Sequence, residues 1–163
     1  SQLLEADLLR VSDNGKYPIL YDMSPCFYHS KEEFTSNLKI VDPIAFMLDF
    51  VLPKLTVKKK KEAVAIFPVC SVKKIGKMDQ LLALVQQCAE QVTMIDSNCC
   101  GFAGDRGFLI PELNEHGLRD IKNQIPSNCT SGYSTSRTCE IGLEKASGIS
   151  FTSIFYLIEE VTR

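Results

Sequence analysis

The chain has 163 residues, 45% of them hydrophobic and 23% charged, and its 18 basic and 20 acidic side chains leave a formal net charge of -2. That is enough chain for one ordinary domain with a real core, and the near-balanced charge excludes a long-range pull on nucleic acid or anionic lipid. No run approaches the roughly 20 apolar residues of a membrane-spanning helix, and seven cysteines, an odd number in a chain of this size, fit a reducing compartment where thiols serve as ligands or core residues.

The opening Ser1-Gln2-Leu3-Leu4-Glu5 has neither the basic nor the apolar block of a signal peptide. The expected location is cytoplasmic, at most peripheral to the inner membrane. A start without Met, in mid-pattern, suggests a piece of a longer protein.

In chain order, apolar runs alternate with helical patterns, which predicts an α/β fold with a largely parallel sheet flanked by helices. Tyr17 to Asp22 reads as a short strand that ends in the turn signal Met23-Ser24-Pro25-Cys26. Asp42-Pro43 predicts a helix start, with Ile44, Met47, Leu48, Val51 and Leu52 on its apolar face up to Pro53. The four lysines 58 to 61 read as a solvated turn. Ala63 to Phe67 is a continuous apolar strand ending at Pro68-Val69-Cys70, followed by a helix whose face carries Leu81, Leu84, Val85, Cys88 and Val92. Val92 to Asp96 predicts the next strand, which runs into Cys99-Cys100-Gly101. Pro111-Glu112 opens a helix, the segment from Cys129 to Tyr133 reads as the last strand, Thr135 to Cys139 begins a helix, and Ser153 to Val161 is helical.

The thiols follow this pattern. Cys26, Cys70 and the pair Cys99-Cys100 each come soon after a strand, and Cys139 follows the last predicted one. The carboxyl ends of strands in an open α/β sheet line one edge, where ligands bind, so residues far apart in sequence meet there. Adjacent cysteines pair with each other only under strain; the arrangement asks for a guest that takes several sulfurs, and an iron-sulfur cluster is the best candidate. Gly101, Gly104 and Gly107 let the backbone approach a bulky inorganic group and aim N–H groups at its sulfurs. Arg106 and Arg137 either favour thiolates by their charge or serve as surface and ion-pair residues. Cys88, on an apolar helix face, reads as core, and Cys129 as structural.

Other thiol chemistries are weaker. Zinc sites usually show short Cys-x-x-Cys knuckles, and there is none; the same absence disfavours a thioredoxin-like pair. A nucleophilic cysteine needs a histidine, and neither His29 nor His116 has a sequence tie to residues 99 and 100.

The series Phe67-Pro68-Val69-Cys70-Ser71, Cys99-Cys100-Gly101-Phe102-Ala103-Gly104-Asp105-Arg106-Gly107-Phe108, Pro111-Glu112-Leu113 and Gly132-Tyr133-Ser134-Thr135-Ser136-Arg137-Thr138-Cys139-Glu140 resembles the cysteine-rich CCG domain. That domain occurs in heterodisulfide reductase, in the iron-sulfur subunit of glycolate oxidase and at the carboxyl end of FAD- and iron-sulfur-binding oxidoreductases such as D-lactate and D-2-hydroxyglutarate dehydrogenases. The resemblance covers about residues 60 to 163. It implies a complete CCG half over 59–163, preceded over 1–58 by the tail of a related half in which Ser24-Pro25-Cys26 stands at the last cysteine motif.

By that resemblance Cys70, Cys99, Cys100 and Cys139 are ligands of a cluster of the 4Fe-4S kind, with Cys26 as an additional candidate and Gly101, Gly104 and Arg106 lining the cofactor. The family pattern in full ends in Cys-x-x-Cys; here Ser136 holds the first of those places. The implied function is electron relay from a flavin to an acceptor in the oxidation of a D-2-hydroxy acid. FAD and a ferredoxin-like domain are then expected in an upstream part of the same protein, since the chain has no dinucleotide fingerprint of its own. The alternative is a non-redox structural or docking domain with free or zinc-bound cysteines.

Overall fold

Two parallel sheets order the chain in the computed structural model, which describes residues 2–163. The first part runs α1 (Gln2–Val11), β1 (Ile19–Leu20), α2 (Ser24–Glu33), β2 (Ile40–Val41) and α3 (Pro43–Phe46), the last continued by a π turn (Met47–Val51) and a 3-10 turn (Leu52–Lys54). β1 and β2 pair in parallel, Ile19 opposite Ile40. The second part runs β3 (Lys61–Ile66), α4 (Cys70–Lys74), α5 (Met78–Cys88), β4 (Ala89–Met94), α6 (Arg106–Leu109), α7 (Pro111–Leu118), α8 (Ile121–Gln124), β5 (Ser131–Ser134), α9 (Arg137–Ser147), β6 (Ser150–Ser153) and α10 (Ile154–Thr162). Among the described residues no helix is long and apolar enough to cross a membrane.

The larger sheet has the order β4-β3-β5-β6 with every pairing parallel. The chain therefore leaves β3 for one neighbour, β4, and returns across it to the other, β5. Because parallel crossovers share one hand, that reversal puts the helices after β3 and after β4 on opposite faces of the sheet. The contacts agree: α5 packs with α10 and α3, and α9 packs with α7 and α8. Between β3 and β5 the chain diverges to both faces, and that is where an open sheet forms its crevice.

Residue types explain the packing. Val64, Ala65 and Ile66 of the central β3 are all buried, as a parallel strand covered on both faces requires. Leu81, Leu84, Val85 and Cys88 line the buried side of α5, and Ile154, Leu157, Ile158 and Val161 that of α10, both at helical spacing. Gly132 in β5 has no side chain because the ring of Phe151, from β6, occupies the place a Cβ would take.

Asp42 caps α3, its carboxylate accepting from the N–H groups of Ile44 and Ala45 at 3.0 Å each, with Lys77 Nζ 3.6 Å away. Only 3% of Asp42 is exposed, so the cap is shielded from water. Asp42→Ala is expected to cost about 1–2 kcal/mol, read as a lower urea midpoint at unchanged slope; a loss within error would show that α3 does not depend on its cap.

Several expected elements differ. Cys26 is in the first turn of α2, not in a turn before it: Pro25 stands in that first turn, where a missing N–H costs nothing. His29 lies on the same helix. Val92 belongs to β4 and not to the preceding helix, which ends at Cys88. Lys61 is the first residue of β3 and pairs with Glu160 instead of being free in a solvated turn. The strand over 131–134 is not the last, because β6 follows it; Ser150-Phe151-Thr152-Ser153 has a single large apolar residue and little strand signal of its own. One order of elements recurs: strand, helix with a cysteine as its third residue, parallel strand, helix, as β1-α2-β2-α3 with Cys26 and as β5-α9-β6-α10 with Cys139.

Candidate functional site

Four cysteines from three segments meet at the carboxyl edge of the larger sheet. Cys70 is the first residue of α4, four residues after β3; Cys99 and Cys100 lie on the loop after β4; Cys139 is in the first turn of α9, just after β5. The Cys100 and Cys139 sulfurs are 2.8 Å apart, and all seven cysteines are free. Cys70 and Cys100 both act on Cys99, and Cys70 acts on Cys139 as well, so the four thiols form one connected group.

Local hydrogen bonds hold these segments together. Lys73, on the helix that Cys70 begins, donates from Nζ to the Ser97 carbonyl at 2.6 Å, which ties α4 to the loop after β4. Asn114 Nδ2 donates to the Cys100 carbonyl at 2.6 Å, and the Gly101 N–H donates to Cys99 Sγ at 3.3 Å. Gly101 has φ +81°, and a Cβ there would run into the Leu113 carbonyl. Gly117 meets the same loop from below, where a Cβ would stand 2.6 Å from the Cys99 carbonyl oxygen. Gly104, at φ +82°, has open space around it and serves the turn alone. Phe102 is buried, stacks edge-on against Phe108 at 4.8 Å, and fills the place a Cβ of Gly142 would take.

The Cys100–Cys139 hydrogen bond and burial together set the charge state of the site. Burial pushes Cys99 up, with the neighbouring thiols adding to it. Cys100 is pulled down to about 7, chiefly by the hydrogen bond from Cys139, while that same bond and then burial push Cys139 up. The pair thus loses its first proton early and keeps its second: a Cys100 thiolate accepting from a Cys139 thiol. In the metal-free protein the ultraviolet thiolate band is expected to rise with a midpoint near 7, absorbing above it and not below. In Cys139→Ala, which removes the donor, that midpoint should return toward the ordinary thiol value of about 8.5; an unmoved midpoint would show that the pair is not coupled.

The other candidates separate. Cys26 is exposed on α2 and is not among the main groups that shift Cys99, Cys100 or Cys139. Arg106 opens α6, exposed, and Arg137 pairs with the buried Glu140 carboxylate at 3.2 Å, so neither is a main source of charge at the sulfurs. Cys88 and Cys129 are buried away from the group, Cys129 donating to the Ser131 carbonyl at 3.3 Å. His116 contacts Arg119 at 3.1 Å, in the wall of a cleft beside Cys99. Sequence reasoning missed Asn114, Gly117 and Lys73, which act through backbone carbonyls and leave no motif.

Among the described residues no three His, Cys, Asp or Glu side chains close around one point as a single metal ion requires. No family model matches the chain, and neither a curated protein nor a solved structure shows significant similarity to it.

Proposed function

We propose that Cys70, Cys99, Cys100 and Cys139 hold an iron-sulfur cluster of the 4Fe-4S kind, and that the domain relays electrons in a flavin-dependent oxidoreductase acting on a D-2-hydroxy acid. The observation that carries the proposal is the convergence of these four thiols, from three strand ends, into one group with Cys100 and Cys139 at 2.8 Å. The donor set fits such a group: thiolates are its ligands, and a cluster of several irons spreads them over more than one metal centre, so they need not close on a single ion.

When bound, the cluster would supply one-electron transfer with little change of shape. The chain's own residues bind, orient and shield. Gly101 lets the loop turn close to Leu113 and aims its N–H at the Cys99 sulfur, a contact that raises a reduction potential. Asn114 fixes the Cys100 carbonyl and with it the direction of that side chain. Phe102, buried at the base of the loop, excludes water beneath the thiols. The flavin, the ferredoxin-like partner and the acceptor belong to other parts of the proposed system, and the CCG likeness of the motifs is what points to them.

Anaerobic reconstitution with iron and sulfide tests this reading. A broad visible absorption that bleaches on reduction is expected. A colourless protein whose stability is unchanged by iron and sulfide would favour the reading with free or zinc-bound cysteines.

A further inference from the structure

The sulfurs of Cys100 and Cys139 face each other at 2.8 Å, from segments 39 residues apart in the chain. A disulfide holds its sulfurs at about 2.05 Å, so a shift of about 0.8 Å closes the bond. Both segments are held in place for it. Phe102, two residues after Cys100, fills the space that a Cβ of Gly142, three residues after Cys139, would take, and Asn114 fixes the Cys100 carbonyl at 2.6 Å. Closure therefore asks little of the backbone.

Other pairings are less well prepared. Cys99 and Cys100 are neighbours, and a bond between neighbours strains the peptide that joins them. The Cys99 sulfur is also engaged by the Gly101 N–H at 3.3 Å. Cys88 and Cys129 lie in the core, and Cys26 is exposed on α2.

Access selects the oxidant. Cys100 is 4% and Cys139 6% exposed, while Cys70 and Cys99 are part-exposed, so solvent reaches the group but a bulky disulfide does not reach the pair. A peroxide is small enough.

We infer that Cys100 and Cys139 form a reversible oxidation site: in the metal-free protein hydrogen peroxide joins them as a disulfide, which withdraws two of the four sulfurs from cluster assembly. One sulfur attacks a peroxide oxygen, the O–O bond breaks, and water leaves a sulfenic acid behind. The second sulfur attacks the first, the S–S bond forms, the S–O bond breaks, and a second water leaves with the remaining thiol proton. The pair gives up two electrons, which the peroxide takes. Two equivalents of a small thiol reverse the bond by exchange and become a disulfide themselves. The effect on assembly rests on the four-thiol reading above; the bond itself does not.

Metal-free protein tests it, in a Cys26→Ser background that removes the exposed thiol. After stoichiometric hydrogen peroxide, alkylation and digestion, mass spectrometry should find a peptide pair linked through Cys100 and Cys139, with two thiols lost per chain and both recovered by a phosphine reductant. In Cys139→Ser the link should be absent and Cys100 labelled instead by a 1,3-diketone that traps sulfenic acids; Cys88→Ser should keep the link. Iron uptake on reconstitution with sulfide should fall at least tenfold in the oxidised protein and return on reduction. Links through other cysteines, no loss of thiols, or equal iron uptake by oxidised and reduced protein would overturn the inference. A fully reduced protein that takes up no iron would count against the cluster reading alone, because the linked peptide is read without iron.

Discussion

Cys100→Ser is expected to leave the reconstituted protein colourless and without bound iron, while its urea midpoint stays close to that of the parent. Cys100 is next to Cys99 in the chain, its sulfur is 2.8 Å from that of Cys139, and it supplies the group's first thiolate, near 7. A serine hydroxyl is far less acidic and a poor ligand for iron, so the loss is chemical and the shape of the loop survives. Cys88→Ser is the matched control. Cys88 is fully buried in the core of α5, and its thiol is pushed up to about 11 by burial. A hydroxyl placed there without a partner costs about 1–3 kcal/mol but leaves the colour intact. The two variants therefore separate a ligand from a core thiol by opposite readouts. Full absorption in Cys100→Ser, measured with iron and sulfide content, would remove the four-thiol cluster from consideration.

Gly101→Ala is expected to be the most destabilising single change in the cysteine loop. The left-handed conformation costs a residue with a side chain about 1–2 kcal/mol, and a Cβ driven into the Leu113 carbonyl adds about 1–3 kcal/mol of overpacking. The sum, on the order of 3 kcal/mol, corresponds to a Tm lowered by roughly 10 °C for a chain of this length. Gly104→Ala is the comparison: its φ is nearly the same, but a Cβ there meets nothing, so only the conformational cost of about 1–2 kcal/mol applies. Equal effects at the two positions, by calorimetry or urea unfolding, would show that the Leu113 contact yields freely and that the loop is not pinned there.

Much of the site was legible before the fold was known. Cysteines announce themselves, and strand ends are marked by the change from apolar runs to Pro, Gly and Ser, so Cys70, Cys99, Cys100 and Cys139 were placed correctly on the loops and helix starts that follow strands. Cys88 was recognisable as core from its spacing with Leu81, Leu84 and Val85. For Arg137 the sequence left two roles open, charge at the thiols or an ion pair, and only the fold, which buries Glu140 beside it, decides for the ion pair. β6 was not readable: its Ser-Phe-Thr-Ser pattern is carried by pairing with β5 and by Phe151 filling the space over Gly132.

Alternation of apolar runs with helical periods is enough to specify a parallel α/β layer, because each local segment buries its own face and the two periods cannot be exchanged. Adjacency is a different matter: that β5 lies beside β3, and that Cys139 meets Cys100, follows from which strand edge the returning chain pairs with. The same holds for the depressed Cys100 thiol, since burial and hydrogen-bond partners come from segments dozens of residues away. Local chemistry selects the elements, and their long-range pairing energies select the neighbours.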